Sequence, residues 1–154
     1  MEKQCFNRKK LIRLLYATAF VLISVGTAML IYTLSNGYWQ GVSASLLFLA
    51  PSLVVLYATI NKENDVIIDY NEKEIQSNIK FGKKESFHVY FSSIVNIAVY
   101  SADQLKNEIQ LKKYPANALV IETSFNKEYI SLTFFDEETV LALINELQKA
   151  RDTV

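Results

Sequence analysis

A stretch of 48 consecutive residues without a formal charge, residues 14–61, constrains the fold of this chain more than any other feature. It contains two apolar segments, residues 14–34 and 42–60, separated by a short polar segment with the turn signal Asn36-Gly37. A helix of about 20 residues spans the roughly 30 Å hydrocarbon core of a bilayer. We therefore expect two antiparallel membrane helices, which form a transmembrane hairpin over residues 14–60.

Basic residues beside the first apolar segment predict the orientation of this hairpin. The N-terminal segment, residues 1–13, contains Arg8, Lys9, Lys10 and Arg13, whereas the turn contains no basic residue. Basic residues mark the cytoplasmic side of membrane helices, so these four are the expected topology anchor and both termini are expected in the cytoplasm. This predicts a multi-pass protein of the cytoplasmic (cell) membrane. A cleaved signal peptide is the alternative, but the first apolar segment is too long for one and a second segment follows.

Small residues inside the hairpin predict close helix packing. Ser24 with Ala28, and Gly41 with Ser45, have the four-residue spacing that lets helices approach each other. We favour packing within the hairpin, and a seam between two copies is the alternative. Neither apolar segment contains Asp, Glu, Lys, Arg or His, which argues against ion-coupled transport by a single copy.

Charge separates the chain into two unlike parts. Residues 1–61 contain five basic residues and one acidic residue (net +4), and residues 62–154 contain eleven basic and fifteen acidic residues (net −4). The second part is rich in Ile, Val, Phe and Tyr, so it is not expected to be disordered. Its negative charge would repel phosphates, so we expect no nucleic-acid partner.

The second part has the pattern of a β-domain closed by a helix. From residue 65 the apolar residues alternate or form short runs between turn residues, whereas residues 101–107 are polar and predict a loop. Asp136 is a suitable N-cap for a helix over residues 136–151, whose apolar face contains Val140, Leu143, Ile144 and Leu147. Seven strands are predicted, over residues 65–70, 74–81, 86–91, 92–100, 108–114, 118–125 and 128–135.

Three segments of this region resemble bacterial membrane-anchored pleckstrin-homology-like proteins. They are VIIDYNEKEIQSNIKF (66–81), FHVYFSSIVNIAVY (87–100) and the closing helix DEETVLALINELQKAR (136–151). The two N-terminal membrane helices are part of the same resemblance. It implies an α+β membrane protein with a seven-stranded antiparallel split barrel or sandwich, capped by a C-terminal helix. It also implies a binding or scaffolding module, although fold alone does not define function.

The residues that could perform chemistry do not form a recognisable active site. His88 is the only histidine and Cys5 the only cysteine in the sequence, whereas a metal site needs several convergent ligands. We interpret His88 as an ordinary strand residue, and Glu137 with Glu138 as favourable charge in the first turn of the helix. Cys5 is interpreted as an inert thiol, with reversible acylation as the alternative. We expect no enzyme activity, no cofactor and no metal.

A lysine cluster is the predicted contact with lipid headgroups. Lys80, Lys83 and Lys84 surround the second predicted turn of the β-domain. Phosphoinositide-binding members of the wider pleckstrin-homology superfamily use basic residues around their first strands. Here the first turn, residues 71–74, is net acidic, and the predicted strands contain no arginine, the usual bidentate ligand of phosphate. A solvated hairpin tip is the alternative interpretation of the three lysines.

The sequence as a whole predicts a non-catalytic integral membrane protein. Its cytosolic domain, residues 62–154, would act as a scaffold or protein-interaction module tethered at the membrane. The expected partners are the lipid bilayer and either a partner protein or a second copy in the membrane. A lipid-headgroup sensing module and a small accessory or immunity subunit of a membrane complex are the alternatives.

Overall fold

The computed structural model describes residues 3–82, 86–111 and 113–153. The chain forms two compact units. The first, the β-domain, combines Met1–Lys9 with Glu63–Val154, and the second, the helical hairpin, consists of Lys10–Lys62. The chain therefore leaves the β-domain close to its N-terminus and returns to it after the hairpin.

The helical hairpin consists of α1 (Lys9–Ser35) and α2 (Trp39–Ile60). The two predicted apolar segments lie within these helices, so the prediction of two helices is confirmed, and the connecting turn shortens to residues 36–38. Both helices are long and apolar enough to cross a membrane. Only 11% of the most apolar stretch of each helix is buried, unlike the core helix of a water-soluble protein.

A seam of small residues at seven-residue spacing joins the two helices. The buried residues are Ala19, Gly26 and Thr33 in α1 and Ser45, Ser52 and Thr59 in α2. Their hydroxyl groups donate to carbonyl groups of their own helix, for example Ser52 to Leu49 at 2.7 Å, so they do not compete with packing.

The seam corrects half of the prediction about small residues. A Cβ atom on Gly41 would overlap Thr33 Cγ2, so Gly41 and Ser45 do pack the hairpin as expected. Ser24 and Ala28 are exposed, so packing of this pair within the hairpin is wrong, and a seam between two copies stays a prediction for it. The reason is that residues seven apart return to nearly the same side of a helix, and this repeat sets the seam of an antiparallel pair.

Two antiparallel sheets form the β-domain. The first has the order β1-β2-β3-β4 and the second the order β5-β6-β7, and a 3₁₀ turn (Phe91–Ser93) links them. Two helices complete the domain, α3 (Ala102–Glu108) and α4 (Glu137–Asp152). The strands are β1 (Lys3–Phe6), β2 (Val66–Asp69), β3 (Glu74–Ser77), β4 (Phe87–Tyr90), β5 (Ile94–Ser101), β6 (Asn117–Thr123) and β7 (Lys127–Ser131).

Among the described residues the structure has seven strands, as predicted. One predicted strand is not formed, and a different segment supplies the seventh. The loop predicted over residues 101–107 is wrong. Ala102–Glu108 form α3 and Ser101 is its N-cap, because Ser101 and Gln104 make a reciprocal capping box. The predicted strand over residues 108–114 is wrong, since α3 ends at Glu108 and residues 109–111 have no regular structure. The seventh strand is β1, which lies in the segment predicted to be only a basic N-terminus.

Large apolar side chains from both sheets and α4 fill the core of the β-domain. Phe91, Ile68 and Leu119 are at most 1% exposed, and Leu143 and Leu147 of α4 are fully buried against them. The predicted C-terminal helix and its apolar face are therefore confirmed. α3 contacts β5 and β6, and Leu105 of α3 and Ala118 and Val120 of β6 are fully buried.

Candidate functional site

The two chain segments that flank the helical hairpin pair with each other inside the β-domain. β1 runs antiparallel to β2, with Lys3 opposite Asp69 and Phe6 opposite Val66. Phe6 is 8% exposed and belongs to the core, and Lys3 Nζ lies 2.7 Å from Asp69 Oδ2. The hydrogen bond from Lys3 lowers the pKa of Asp69 and raises the pKa of Lys3. β1 is therefore a structural strand and not only a charged tail.

An ion pair with flanking amides lies next to this strand pair. Arg8 Nη2 and Nε donate to Asp65 Oδ1 at 2.7 and 3.0 Å, and the backbone N–H of Arg8 donates to Asp65 Oδ2 at 2.8 Å. Asn7 Nδ2 donates to Asn64 Oδ1 at 2.9 Å, and the N–H of Asp65 donates to Asn7 Oδ1 at 3.0 Å. We name these four residues, Asn7, Arg8, Asn64 and Asp65, the clasp. It joins the two residues before α1, Asn7 and Arg8, to Asn64 and Asp65, which follow α2.

The structure separates the residues of the predicted topology anchor. Arg8 lies within the β-domain, with its side chain 22% exposed and paired with Asp65. Lys9, Lys10 and Arg13 lie in the first turns of α1 and are exposed. The anchor role itself remains a prediction, and the structure adds a second role for Arg8, the closure of the clasp.

A groove with basic walls opens at the same end of the β-domain. It has a volume of about 570 Å³ and is lined by segments that follow β1, β3 and β7 and precede β6. Lys80 and Lys113 supply its positive charge, Arg8 also lines it but is paired with Asp65, and none of the described residues that line it is acidic. Phe81, Leu111 and Phe134 supply apolar surface. We name this surface the basic groove, and it contrasts with the net charge of −4 over residues 62–154.

Two backbone positions shape the basic groove. Gly82 has φ of +64°, and a Cβ atom there would lie 2.9 Å from Leu111 Cδ2, so a side chain would close this part of the groove. Phe134 also adopts a left-handed conformation, with φ of 71°, and is 42% exposed. Such strain in a residue other than glycine is concentrated at functional sites in proteins.

The structure describes one of the three lysines that are predicted to contact lipid headgroups, Lys80. Lys80 is exposed and lines the basic groove. Lys83 and Lys84 lie outside the described residues, so their part in the cluster stays a prediction. Lys113 and Phe134 were not among the predicted site residues. Lys113 had a sequence signal as part of the Lys112-Lys113 pair, whereas Phe134 had none.

The opposite end of the β-domain exposes apolar side chains. Tyr90 and Val95 are each 62% exposed and Phe125 is 92% exposed. The N–H of Ser124 donates to the carbonyl of Ser93 at 3.1 Å, which joins the segment of Tyr90 and Val95 to that of Phe125. We name Tyr90, Val95 and Phe125 the distal patch. The seven residues of β6 separate it from the basic groove by roughly 20 Å at ~3.3 Å per residue.

A network of charged residues fastens α3 to the second sheet. Lys127 Nζ lies 2.9 Å from Glu122 Oε1 and 3.0 Å from Glu108 Oε2, and the Tyr129 hydroxyl donates to Glu108 at 3.3 Å. The hydrogen bond from Lys127 lowers the pKa of Glu122, and the pKa of Lys127 is raised above its ordinary value. These partners satisfy one another, which is typical of a structural network.

The remaining chemistry-bearing residues are separate from one another. His88 lies on β4, 3.8 Å from Glu74 Oε2, and Cys5 is exposed on β1. In the described part of the chain, no group of three or more His, Cys, Asp or Glu residues could hold a metal ion. The chain matches no protein-family model, no curated protein and no solved structure.

Proposed function

We propose that this chain is a non-catalytic integral membrane protein whose β-domain acts as a scaffold or protein-interaction module in the cytosol. The observation that carries the proposal is the pairing of β1 with β2 across the helical hairpin. Paired strands must lie in one compartment, so helices inserted between them cross the bilayer an even number of times. The basic residues before α1 favour the cytoplasm as that compartment.

The exposure of the hairpin supports its insertion into lipid. Phe20, Leu47 and Val54 are 70%, 74% and 67% exposed. In water each such side chain forfeits about 1.5–3 kcal/mol of burial free energy, whereas lipid tails solvate it. The absence of Asp, Glu, Lys, Arg and His from residues 14–61 agrees with a lipid environment.

The sheet arrangement supports a pleckstrin-homology-like module. Antiparallel sheets of four and three strands, followed by a C-terminal helix, have the layout that the sequence resemblance implies. The helical hairpin would then be inserted in the connection between the first two strands of the module. Because β1 ends at Phe6 and α1 begins at Lys9, the module has almost no linker to its anchor.

The distal patch is the surface that favours a protein partner. Tyr90, Val95 and Phe125 are large apolar side chains that remain exposed on neighbouring segments, and groups of such side chains mark interaction surfaces. It lies at the end of the β-domain remote from the clasp, on the far side of β6 from the basic groove. Tethering confines the domain to a thin layer and raises its effective concentration toward other membrane proteins.

Crosslinking in native membranes tests this proposal. Wild type is expected to give a crosslinked product with a partner protein or with itself. Phe125→Ser together with Tyr90→Ser should remove that product, because the apolar contact surface is lost. Leu141→Ser is the matched control, since Leu141 is 62% exposed on α4 and outside the patch. Equal crosslinking by both variants would exclude the patch, and no product from wild type would exclude the scaffold.

A lipid-headgroup sensing module is the second candidate, favoured by the basic groove. Lys80 and Lys113 come from two different segments, and both lie in the groove beside Arg8, whose charge is compensated by Asp65. Basic residues close to an anionic membrane surface each contribute about 1 kcal/mol to binding.

Native mass spectrometry of the full chain in nanodiscs tests this second candidate. Discs that mix phosphatidylcholine with phosphatidylglycerol should show enriched anionic lipid on wild type. Lys80→Gln with Lys113→Gln should reduce the enrichment by about fivefold per lysine at low salt. Lys106→Gln with Lys149→Gln is the control, because these lysines are exposed elsewhere on the domain. Equal enrichment on all three proteins would exclude the groove as a headgroup site.

A further inference from the structure

We propose that β1 and the clasp form a topological lock, which closes the β-domain when α1 and α2 cross the bilayer together and keeps it open when only one of them has crossed. The inference rests on the membrane anchoring proposed above. The bonds of the clasp join residues 57 or 58 positions apart, and the chain between them is mainly the helical hairpin. A chain with a single crossing would hold β1 and β2 in different compartments, where they cannot pair.

The contribution of β1 to the domain makes such a lock effective. β1 covers the outer edge of β2 over four residue pairs. Val66 and Ile68 of β2 are fully buried, and Phe6 of β1 packs in the same core. Without β1 the edge of β2 would expose backbone groups and apolar surface. An uncovered edge of this kind is a template for pairing with other chains and a target for proteases.

The ion pair of the clasp, Arg8 with Asp65, adds charge compensation to the closed state of the lock. The side chain of Asp65 is 3% exposed, and Arg8 binds it through both guanidinium and backbone N–H groups. Removing one member of a buried ion pair leaves an insufficiently compensated charge. Asp69 repeats the arrangement with Lys3 on the same pair of strands. The open state therefore loses apolar packing and charge compensation together. The β-domain is then either closed with β1 in place or open without it, and partly closed states are disfavoured.

The native cysteine allows a direct test of the strand pair in the full chain. Cys5 is the only cysteine and lies opposite Ile67 in the register. Directly opposed residues of antiparallel strands are about 4.5–5.5 Å apart at Cα, which suits a disulfide. Ile67→Cys in membrane vesicles should therefore form an internal disulfide under mild oxidant, detected by mobility on a non-reducing gel. Ile68→Cys, whose side chain points into the core, is the control that should not crosslink.

A block on the second crossing then tests the lock itself. Leu47→Arg with Val54→Arg, added to Ile67→Cys, hinders insertion of α2 and leaves the seam intact, because both side chains point away from it. Leu47→Ala with Val54→Ala is the control. The arginine variant should lose the disulfide, and its β-domain should be digested at least about tenfold faster. A second copy of residues 3–8, joined ahead of Asn64 by a Gly/Ser linker, should restore resistance.

The possible results separate the lock from the anchoring on which it rests. Unchanged crosslinking and digestion in the arginine variant would overturn the lock, as would failure of the added β1 copy to protect the domain. Extraction of wild type from membranes by alkaline carbonate would instead overturn the proposed anchoring. Retention of wild type, with loss and rescue as described, supports both.

Discussion

The helical hairpin and the β-domain bury opposite kinds of side chain. The hairpin buries small residues such as Ala19, Gly26 and Ser52 and exposes large ones such as Leu47. The β-domain buries large apolar residues such as Phe91. In water, removal of large apolar surface drives folding, whereas in lipid the tails already solvate that surface and close packing decides helix association. This contrast agrees with the proposed membrane setting of the hairpin.

The largest expected effect is the loss of a core side chain in the β-domain. Phe91 is 1% exposed, and its ring lies 5.5 Å from that of Tyr70 in an edge-to-face arrangement. Phe91→Ala should lower the free energy of unfolding by about 3–5 kcal/mol. Denaturant unfolding in mild detergent, followed by near-ultraviolet circular dichroism, measures this change.

Two other phenylalanines provide the controls for Phe91→Ala. Phe125→Ala, in the distal patch, and Phe20→Ala, exposed on α1, should each change the free energy of unfolding by less than about 0.5 kcal/mol. A loss for Phe20→Ala as large as that for Phe91→Ala would contradict the comparison, because it would mean that the hairpin also relies on large buried side chains.

The next effect concerns the seam of the hairpin, where added volume should be harmful. A Cβ atom on Gly26 would lie 2.8 Å from Leu49 Cγ and 3.2 Å from Phe48 Cβ. Gly26→Ala should weaken the packing of α1 on α2 by about 1–3 kcal/mol. This reverses the usual gain of about 1 kcal/mol when alanine replaces glycine in an exposed helix. Steric trapping of the two helices in bicelles measures the change, and Ala28→Val on the exposed face should leave it unaltered.

Helix capping provides a third and smaller contrast. Asp136 caps α4 by accepting a hydrogen bond from the Thr139 N–H at 2.8 Å. At the start of α2, the structure describes no side-chain hydrogen bond from its N-cap Tyr38. Asp136→Ala should destabilise the β-domain by about 1 kcal/mol and speed exchange of the Thr139 amide hydrogen. Tyr38→Ala should leave helix stability unchanged, and an equal loss at both caps would show that the two helices end by the same mechanism.

Local patterns in the sequence were sufficient for the elements with strong periodicity. The hairpin follows from the uncharged stretch, and α4 follows from Asp136 and the apolar spacing of Leu143 and Leu147. α3 had a readable signal, the capping box of Ser101 and Gln104, which the polar composition of the segment concealed. The membrane setting and the pleckstrin-homology-like fold remain predictions, because they depend on more than element order.

The elements that sequence reasoning missed depend on distant partners. β1 has four residues, of which three are exposed, and it becomes a strand only through pairing with β2 about 60 positions away. The clasp likewise needs Arg8 and Asp65 to meet in space. In the basic groove Lys80 was predicted, whereas Lys113 and Phe134 come from segments that only the tertiary structure brings together. No local periodicity encodes such contacts.

The smallest expected effect is a pH dependence that only one of the two regions should show. The hydrogen bond from Lys3 lowers the pKa of Asp69 below its ordinary value of 3.8, so the folded state binds a proton on Asp69 less readily than the unfolded state. Its contribution to stability is therefore complete above pH 3.8 and is lost as the pH falls through the lower folded pKa. Asp69→Asn should lower the thermal midpoint of the β-domain at about pH 6, and the difference should shrink toward about pH 2.

The helical hairpin provides the internal reference for that measurement. Residues 14–61 contain no Asp, Glu, Lys, Arg or His, so its helix content should stay constant over the same acid range. Lys3 is 62% exposed, so added salt should also reduce the effect of Asp69→Asn. A difference between wild type and Asp69→Asn that grows as the pH falls would contradict the assigned direction of the pKa shift.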